Sequence, residues 1–234
     1  MQLILIAGQA GVGKTTLAQT IAEVAFSLGL IPRLLSFAGP LKKLAASKGY
    51  DKDKHPEKYR EFCQAYGARF REETPNHWVK EFKKDYEAIE ALETEAIEKK
   101  KKFWEHCVIV DDCRYPNELR FGIDRKASLI FLSYGDREME DPDGEWRDHH
   151  SEEMAKAIDA GSDKIRNVFT SLLRNQDDLE SFRKKATLLV PLWCGVQPEA
   201  AENEVPFNVS VSGLIDLLLL GNLDDEDEDD EEEA

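Results

Sequence analysis

The stretch Leu3-Ile4-Leu5-Ile6-Ala7-Gly8-Gln9-Ala10-Gly11-Val12-Gly13-Lys14-Thr15-Thr16 decides the fold. Leu3 to Ala7 are continuously apolar and run directly into a glycine-rich turn, the pattern of a fully buried parallel strand that ends in a phosphate-binding loop. Residues 8 to 15 satisfy G-x-x-x-x-G-K-[ST] at every fixed position. Glycines allow backbone N–H groups to turn inward as an anion nest, and a helix beginning at Lys14 adds partial positive charge. Lys14 has the reach for outer phosphates, and the Thr15 hydroxyl suits Mg²⁺. Gly8, Ala10, Gly11, Val12, Gly13, Lys14, Thr15 and Thr16 are therefore expected to bind ATP, with Mg²⁺ as its companion. The competing reading is a tight glycine turn with no ligand, and the strand before and helix after weigh against it.

Working outward, Leu17, Ile21, Val24, Ala25 and Leu28 recur at helical spacing, and Gly29 is placed to end that helix. Arg33 to Phe37, Val108 to Asp111 and Leu129 to Ser133 read as three further strands with helical segments between them. That alternation predicts a mainly parallel sheet with right-handed crossovers, in a three-layer α/β/α arrangement of the P-loop NTPase type. Between the second and third strands lie about 70 residues, far more than a crossover needs. Helical, charged stretches at Glu57 to Glu72 and His77 to Phe103 predict an inserted helical subdomain, about 40–105, over the carboxyl ends of the strands. The polar, turn-rich segment 134–150 reads as a lid. Leu188 to Leu192 and Phe207 to Val211 are two late strand candidates, and the sequence does not choose between them. The third strand closes on Asp111 and Asp112, one of which is expected beside the metal; a turn-capping aspartate is the alternative for either.

Composition bounds the rest. A chain of 234 residues, 41% hydrophobic, supports one α/β domain, read as 1–222. Residues 224 to 233 are all Asp or Glu, so ten of the negative charges behind the formal −16 sit in a terminal run, read as a solvating tail over 223–234. The body keeps only −6, and its dense basic run, Lys99 to Lys102, follows Glu90, Glu93, Glu95 and Glu98. A basic face for duplex nucleic acid is not indicated. Cys63, Cys107, Cys113 and Cys194 form no C-x-x-C pair and read as reduced thiols. The segment Leu214 to Leu220, apolar except for Asp216, is too short to span a bilayer, so a soluble, cytoplasmic protein without a membrane partner is expected. The oligomeric state stays open, a homodimer included.

A phosphate loop alone does not separate kinases from ATPases, GTPases or motors. Four further segments narrow the choice: Ser36-Phe37-Ala38-Gly39-Pro40-Leu41-Lys42; Gln64 to Arg71 in the pattern Q-x-x-G-x-x-x-R, with Trp78-Val79 beyond it; Asp112-Cys113-Arg114-Tyr115-Pro116-Asn117-Glu118; and His149-His150-Ser151-Glu152. In this order, with the phosphate loop, they are similar to the motifs of the bacteriophage deoxynucleoside monophosphate kinases over roughly residues 1 to 155. The resemblance implies transfer of the γ-phosphate of ATP to a deoxynucleoside monophosphate, in the cytoplasm of a phage host. It implies Lys14, Asp112, Arg114, Arg137 and Arg147 as catalytic groups, the last two closing from the lid. Phe37, Lys42, Gln64, Arg71, Trp78, Arg114, Glu118, His149 and Glu152 would hold the acceptor, the arginines by bidentate contact with its phosphate and Phe37 and Trp78 by walling in the base, for which ordinary core packing is the alternative. Thr15, Asp111 and Asp112 would face Mg²⁺. Family members tend to end in an apolar strand, an Asn and a short helix, for which Phe207-Asn208-Val209 with Leu214 to Leu220, or Ile165-Arg166-Asn167, are both candidates. Two other readings keep the phosphate loop: a kinase of modified bases in DNA, against which the acidic body argues, and an ATP-dependent switch that docks through its tail.

Overall fold

A computed structural model describes residues 1–100, 105–134, 152–159, 167–176 and 178–196. Its centre is a five-stranded sheet. The strands are β1 (Gln2–Gly8), β2 (Ile31–Leu35), β3 (His106–Cys113), β4 (Ser128–Ser133) and β5 (Ser171–Arg174), in the order β2-β3-β1-β4-β5. All four pairings are parallel. The central strand β1 is buried from Leu3 to Gly8, which is why it reads as an unbroken apolar run rather than an alternating one. Its chain leaves toward β2 and β3, whereas β4 and β5 lie on its other side, so the turn after β1 sits where the winding of the sheet reverses, the usual crevice for ligands in such folds.

The helices are α1 (Lys14–Ser27), α2 (Gly39–Ser47), α3 (Pro56–Glu73), α4 (His77–Glu98), α5 (Pro116–Asp124), α6 (Glu153–Asp159) and α7 (Leu179–Trp193). Side chains alternate across the sheet. Leu3, Leu5 and Ala7 of β1, Val108 and Val110 of β3, and Leu129 and Phe131 of β4 share one core with Phe82 and Tyr86 of α4, Leu119 and Phe121 of α5, and Ile158 of α6. Ile4, Ile6, Ile109, Ile130 and Leu132 fall on the opposite face, fully buried like Leu17 and Ile21 of α1. There Trp193 of α7 is tied down, its Nε1 donating to Ser171 Oγ at 2.9 Å while Ser128 Oγ donates to its carbonyl at 2.8 Å.

The insertion consists of α2, α3 and α4 and has a small core of its own, in which Leu41, Ala45, Phe62 and Trp78 are buried together. Phe62 stacks between Tyr50 and Tyr66 at 4.3 and 4.2 Å, and the Trp78 indole donates to the Gly67 carbonyl at 3.1 Å. This core packs α2, α3 and the start of α4 together, while Phe82 and Tyr86 farther along α4 belong to the core against the sheet.

Three sequence expectations are corrected. The second strand runs from Ile31 to Leu35, two residues earlier than expected, because Phe37 leaves the strand to pack against Phe82 at 4.3 Å. Leu188 to Leu192 belong to α7 and not to a strand: Phe182, Ala186, Leu189, Val190 and Trp193 are buried at helical spacing, and Pro191 lies inside the helix near its end. The fifth strand is Ser171–Arg174, which the sequence reading passed over. Phe207 to Val211, Leu214 to Leu220, Ile165-Arg166, the lid beyond Tyr134 and the acidic tail lie outside the described residues. Among the described residues, no helix is long and apolar enough to cross a membrane.

Candidate functional site

The loop from Gly8 to Gly13 leaves β1 and feeds α1 with Gly8, Gly11 and Gly13 at φ values of 146°, 75° and 101°. At Gly11 and Gly13 the left-handed values select glycine, since a side chain there is strained. Gly13 is the N-cap of α1, so the first turn of that helix opens onto the loop. Among the described residues, none accepts a hydrogen bond from the amides of Gly11, Val12 or Gly13. Three donors in a row without protein partners at a helix amino terminus are suited to an anion. Lys14 is buried, and its Nζ donates to the carbonyls of Gly8 at 2.7 Å and Gln9 at 2.5 Å. Burial, with the Arg114 guanidinium adding to it, lowers its pKa to about 8.

Beside the loop, β3 carries one residue more than β1 between two pairings: Leu5 faces Val110, but Ala7 faces Cys113. This irregularity brings Asp111 and Asp112 to the loop's flank, and strand alternation sends them to opposite faces. Asp111 Oδ2 accepts from Thr15 Oγ1 at 2.7 Å. Asp112 instead clamps the start of the insertion: its carboxylate accepts from Ser36 Oγ at 2.5 Å, Phe37 N at 2.9 Å and Ala38 N at 3.0 Å. Ser36 Oγ in turn accepts from Lys42 Nζ at 3.0 Å. The two aspartates thus divide the work, Asp111 toward α1 and Asp112 toward the insertion. Among the described residues no cluster of three or more His, Cys, Asp or Glu is arranged for a metal. A Mg²⁺ here fits Thr15 and Asp111 only together with phosphate oxygens and water, its ordinary manner of binding.

In the insertion, Gln64, Gly67 and Arg71 share one face of α3 by their spacing. Arg71 lies over the Tyr115 ring at 4.0 Å and reaches Glu118 at 3.9 Å. Gly67 leaves room there: a Cβ would stand 3.2 Å from the Arg71 guanidinium and 3.3 Å from Leu41, a tight fit that either side chain would have to relieve by a small shift. Glu118 is buried and accepts from the amides of Arg114 at 2.8 Å and Tyr115 at 3.1 Å, capping α5. Burial first, then the nearby Asp112 charge, raise its pKa to about 8. Asn117 joins α5 to the insertion by donating to Pro75 O at 2.9 Å and to Asn76 Oδ1 at 3.1 Å.

Glu152, also buried, bridges both halves: it accepts from Ala10 N at 2.8 Å and from Arg114 Nη1 at 3.2 Å. The structure therefore gathers Lys14, Thr15, Asp111, Asp112, Arg71, Arg114, Glu118 and Glu152 into one connected cluster. Lys42 is attached to it through Ser36, and Gln64 is exposed on the α3 face that carries Arg71. Phe37 and Trp78 stand elsewhere. They are 1% and 3% exposed, in the main core and the insertion core, so the expected role of walling in a base is replaced by packing. Arg137, Arg147 and His149 lie outside the described residues.

Two groups escaped the sequence reading. Tyr134, just past β4, donates to Ala10 O at 2.8 Å, and Asn175, just past β5, donates from Nδ2 to Val12 O at 2.9 Å. For Asn175 a signal existed: the apolar residues Leu172-Leu173, then Arg174-Asn175, then Asp178 as a helix cap accepting from the amides of Glu180 and Ser181.

The fold and this site define a parallel α/β protein with a basic, amide-rich turn at the switch point of its sheet. No protein-family model matches the chain, and no curated protein matches it.

Proposed function

We propose that this protein is an ATP-dependent kinase of the P-loop type whose acceptor is a deoxynucleoside monophosphate. The observation that carries the reading is the row of unpartnered amides from Gly11 to Gly13, with Lys14 beside it and Thr15 hydrogen-bonded to Asp111. Such a turn favours the β- and γ-phosphates of a nucleoside triphosphate. Bound Mg²⁺ would neutralise charge developing on the transferred group. The acceptor side is supported by Arg71 and Arg114, which approach from α3 and from the turn after β3 and are held by Glu118 and Glu152.

Phosphoryl transfer asks little covalent chemistry of a protein and much positioning. The cluster supplies it in three ways. Lys14 places a cation at the loop. Arg71 and Arg114 offer forks for a second phosphate. Asp112 fixes the backbone of Ser36 to Ala38, where the insertion starts, relative to the strand that carries Asp111. Donor loop and acceptor arginines are thus set on one framework.

The test is incubation with MgATP and each of the four common deoxynucleoside monophosphates in turn, with nucleoside diphosphate as the readout. Turnover with at least one is expected. Absence of product with all four, together with intact ATP binding, would contradict the acceptor assignment and leave only a triphosphate-binding protein.

A further inference from the structure

An anion nest works only if its N–H groups converge, and in a short loop this leaves carbonyls turned away from the ligand. Left to themselves, those carbonyls are satisfied by water, and the loop is free to turn its amides away. Here four of the loop's carbonyls are taken by side chains. Gly8 O and Gln9 O accept from Lys14, Ala10 O accepts from Tyr134 Oη, and Val12 O accepts from Asn175 Nδ2. The last two donors come from neither the loop nor α1. They sit just beyond the carboxyl ends of β4 and β5, the strands on the far side of β1 from Asp111.

The glycines agree with this arrangement. A Cβ on Gly11 would stand 2.6 Å from Tyr134 Oη, and one on Gly13 would stand 3.0 Å from Asn175 Nδ2. Gly11 occupies a variable position of G-x-x-x-x-G-K-[ST], so the loop motif does not require it. Its φ of 75° and the closeness of the tyrosine do.

We infer that Tyr134 and Asn175 are positioning residues that hold the phosphate loop in its anion-binding shape from outside, before any ligand arrives. This rests on the reading of the loop as a triphosphate site. Neither side chain needs to touch the ligand; each acts through the carbonyl it fixes, and the gain is an ordering cost already met in the free protein.

Removal of each donor tests it. Tyr134→Phe deletes one hydroxyl, and Asn175→Ala deletes one amide. The affinity for a non-hydrolysable adenosine triphosphate with Mg²⁺ is measured by calorimetry beside the thermal midpoint of each variant. Each substitution is expected to weaken binding about two- to tenfold, the value of one neutral hydrogen bond, with the midpoint nearly unchanged. A merely structural role would lower the midpoint of the free protein, which is the readout that separates the two. Variants that bind as tightly as the parent, or whose weakened binding is accompanied by a falling midpoint, would overturn the inference while leaving the loop assignment intact. A parent that binds no triphosphate would overturn the loop assignment, and the inference with it.

Discussion

At the residue scale, two buried ionisable groups set how the site responds to pH. Lys14 has a pKa lowered to about 8, so its ammonium loses its proton just above neutrality instead of near its ordinary 10.5. A polyphosphate beside it favours the charged form. Triphosphate affinity is therefore expected to fall as pH rises through 8, and binding near pH ~8.5 to take up a proton, visible as a dependence of the calorimetric heat on buffer ionisation. Glu118 behaves in the opposite sense. Its folded pKa of about 8 stands above the ordinary 4.5, so the stability contributed by its neutral form is complete below 4.5 and is lost as pH rises toward 8. Asp112, Arg71 and Arg114 surround it, and the amide bonds it accepts are ones a glutamine oxygen can also accept. Glu118→Gln is therefore expected to flatten the decline in unfolding free energy between about pH 5 and pH 8 seen in the parent by denaturant titration. An unchanged slope would show that another group causes the decline.

At the scale of elements, the insertion stands on its own small core. Trp78 is its largest member, 3% exposed, with its indole N–H on Gly67 O. Gly67 lies beside Arg71 and Leu41, so Trp78 packs against the same stretch of α3 that carries Arg71. Trp78→Ala is expected to cost about 3–5 kcal/mol, read from denaturant unfolding, and to speed amide exchange in α2 and α3 more than in β1. The elements also show how far local patterning reaches. The helix after the loop and both long insertion helices were legible, because amphipathic spacing over many residues survives any tertiary context. Leu188 to Leu192 misled, since a short apolar run has the same composition in a buried helix as in a strand. The fifth strand spans four residues of alternating exposure, too short to stand out from a loop.

At the scale of the whole molecule, the sequence carried the sheet's parallel character and the place of the loop, because both depend on β1 and its immediate surroundings. It also pointed to the cluster of Arg71, Asp112, Arg114, Glu118 and Glu152. What it withheld was the division of labour between neighbours: strand alternation sends Asp111 and Asp112 to opposite faces, and only the assembled sheet shows which of them meets Thr15 and which meets the insertion. The contacts of Tyr134 and Asn175 with the loop could not be read along the chain for a related reason. Their partners are carbonyls 124 and 163 positions away, brought close only when β4 and β5 align beside β1. The acidic run at 224–233 reads by composition as a solvating tail, so deleting 224–234 is expected to leave turnover unchanged in a steady-state assay; a large loss would assign the tail a role in the reaction.

The most direct measurement is calorimetric titration of the intact protein and of Lys14→Ala with MgATP at neutral pH. The parent is expected to bind one equivalent, and the variant to lose at least about tenfold in affinity while retaining its circular dichroism spectrum. Equal binding by the two proteins, or no binding by the parent, would contradict the assignment of residues 8 to 15 as a polyphosphate cradle.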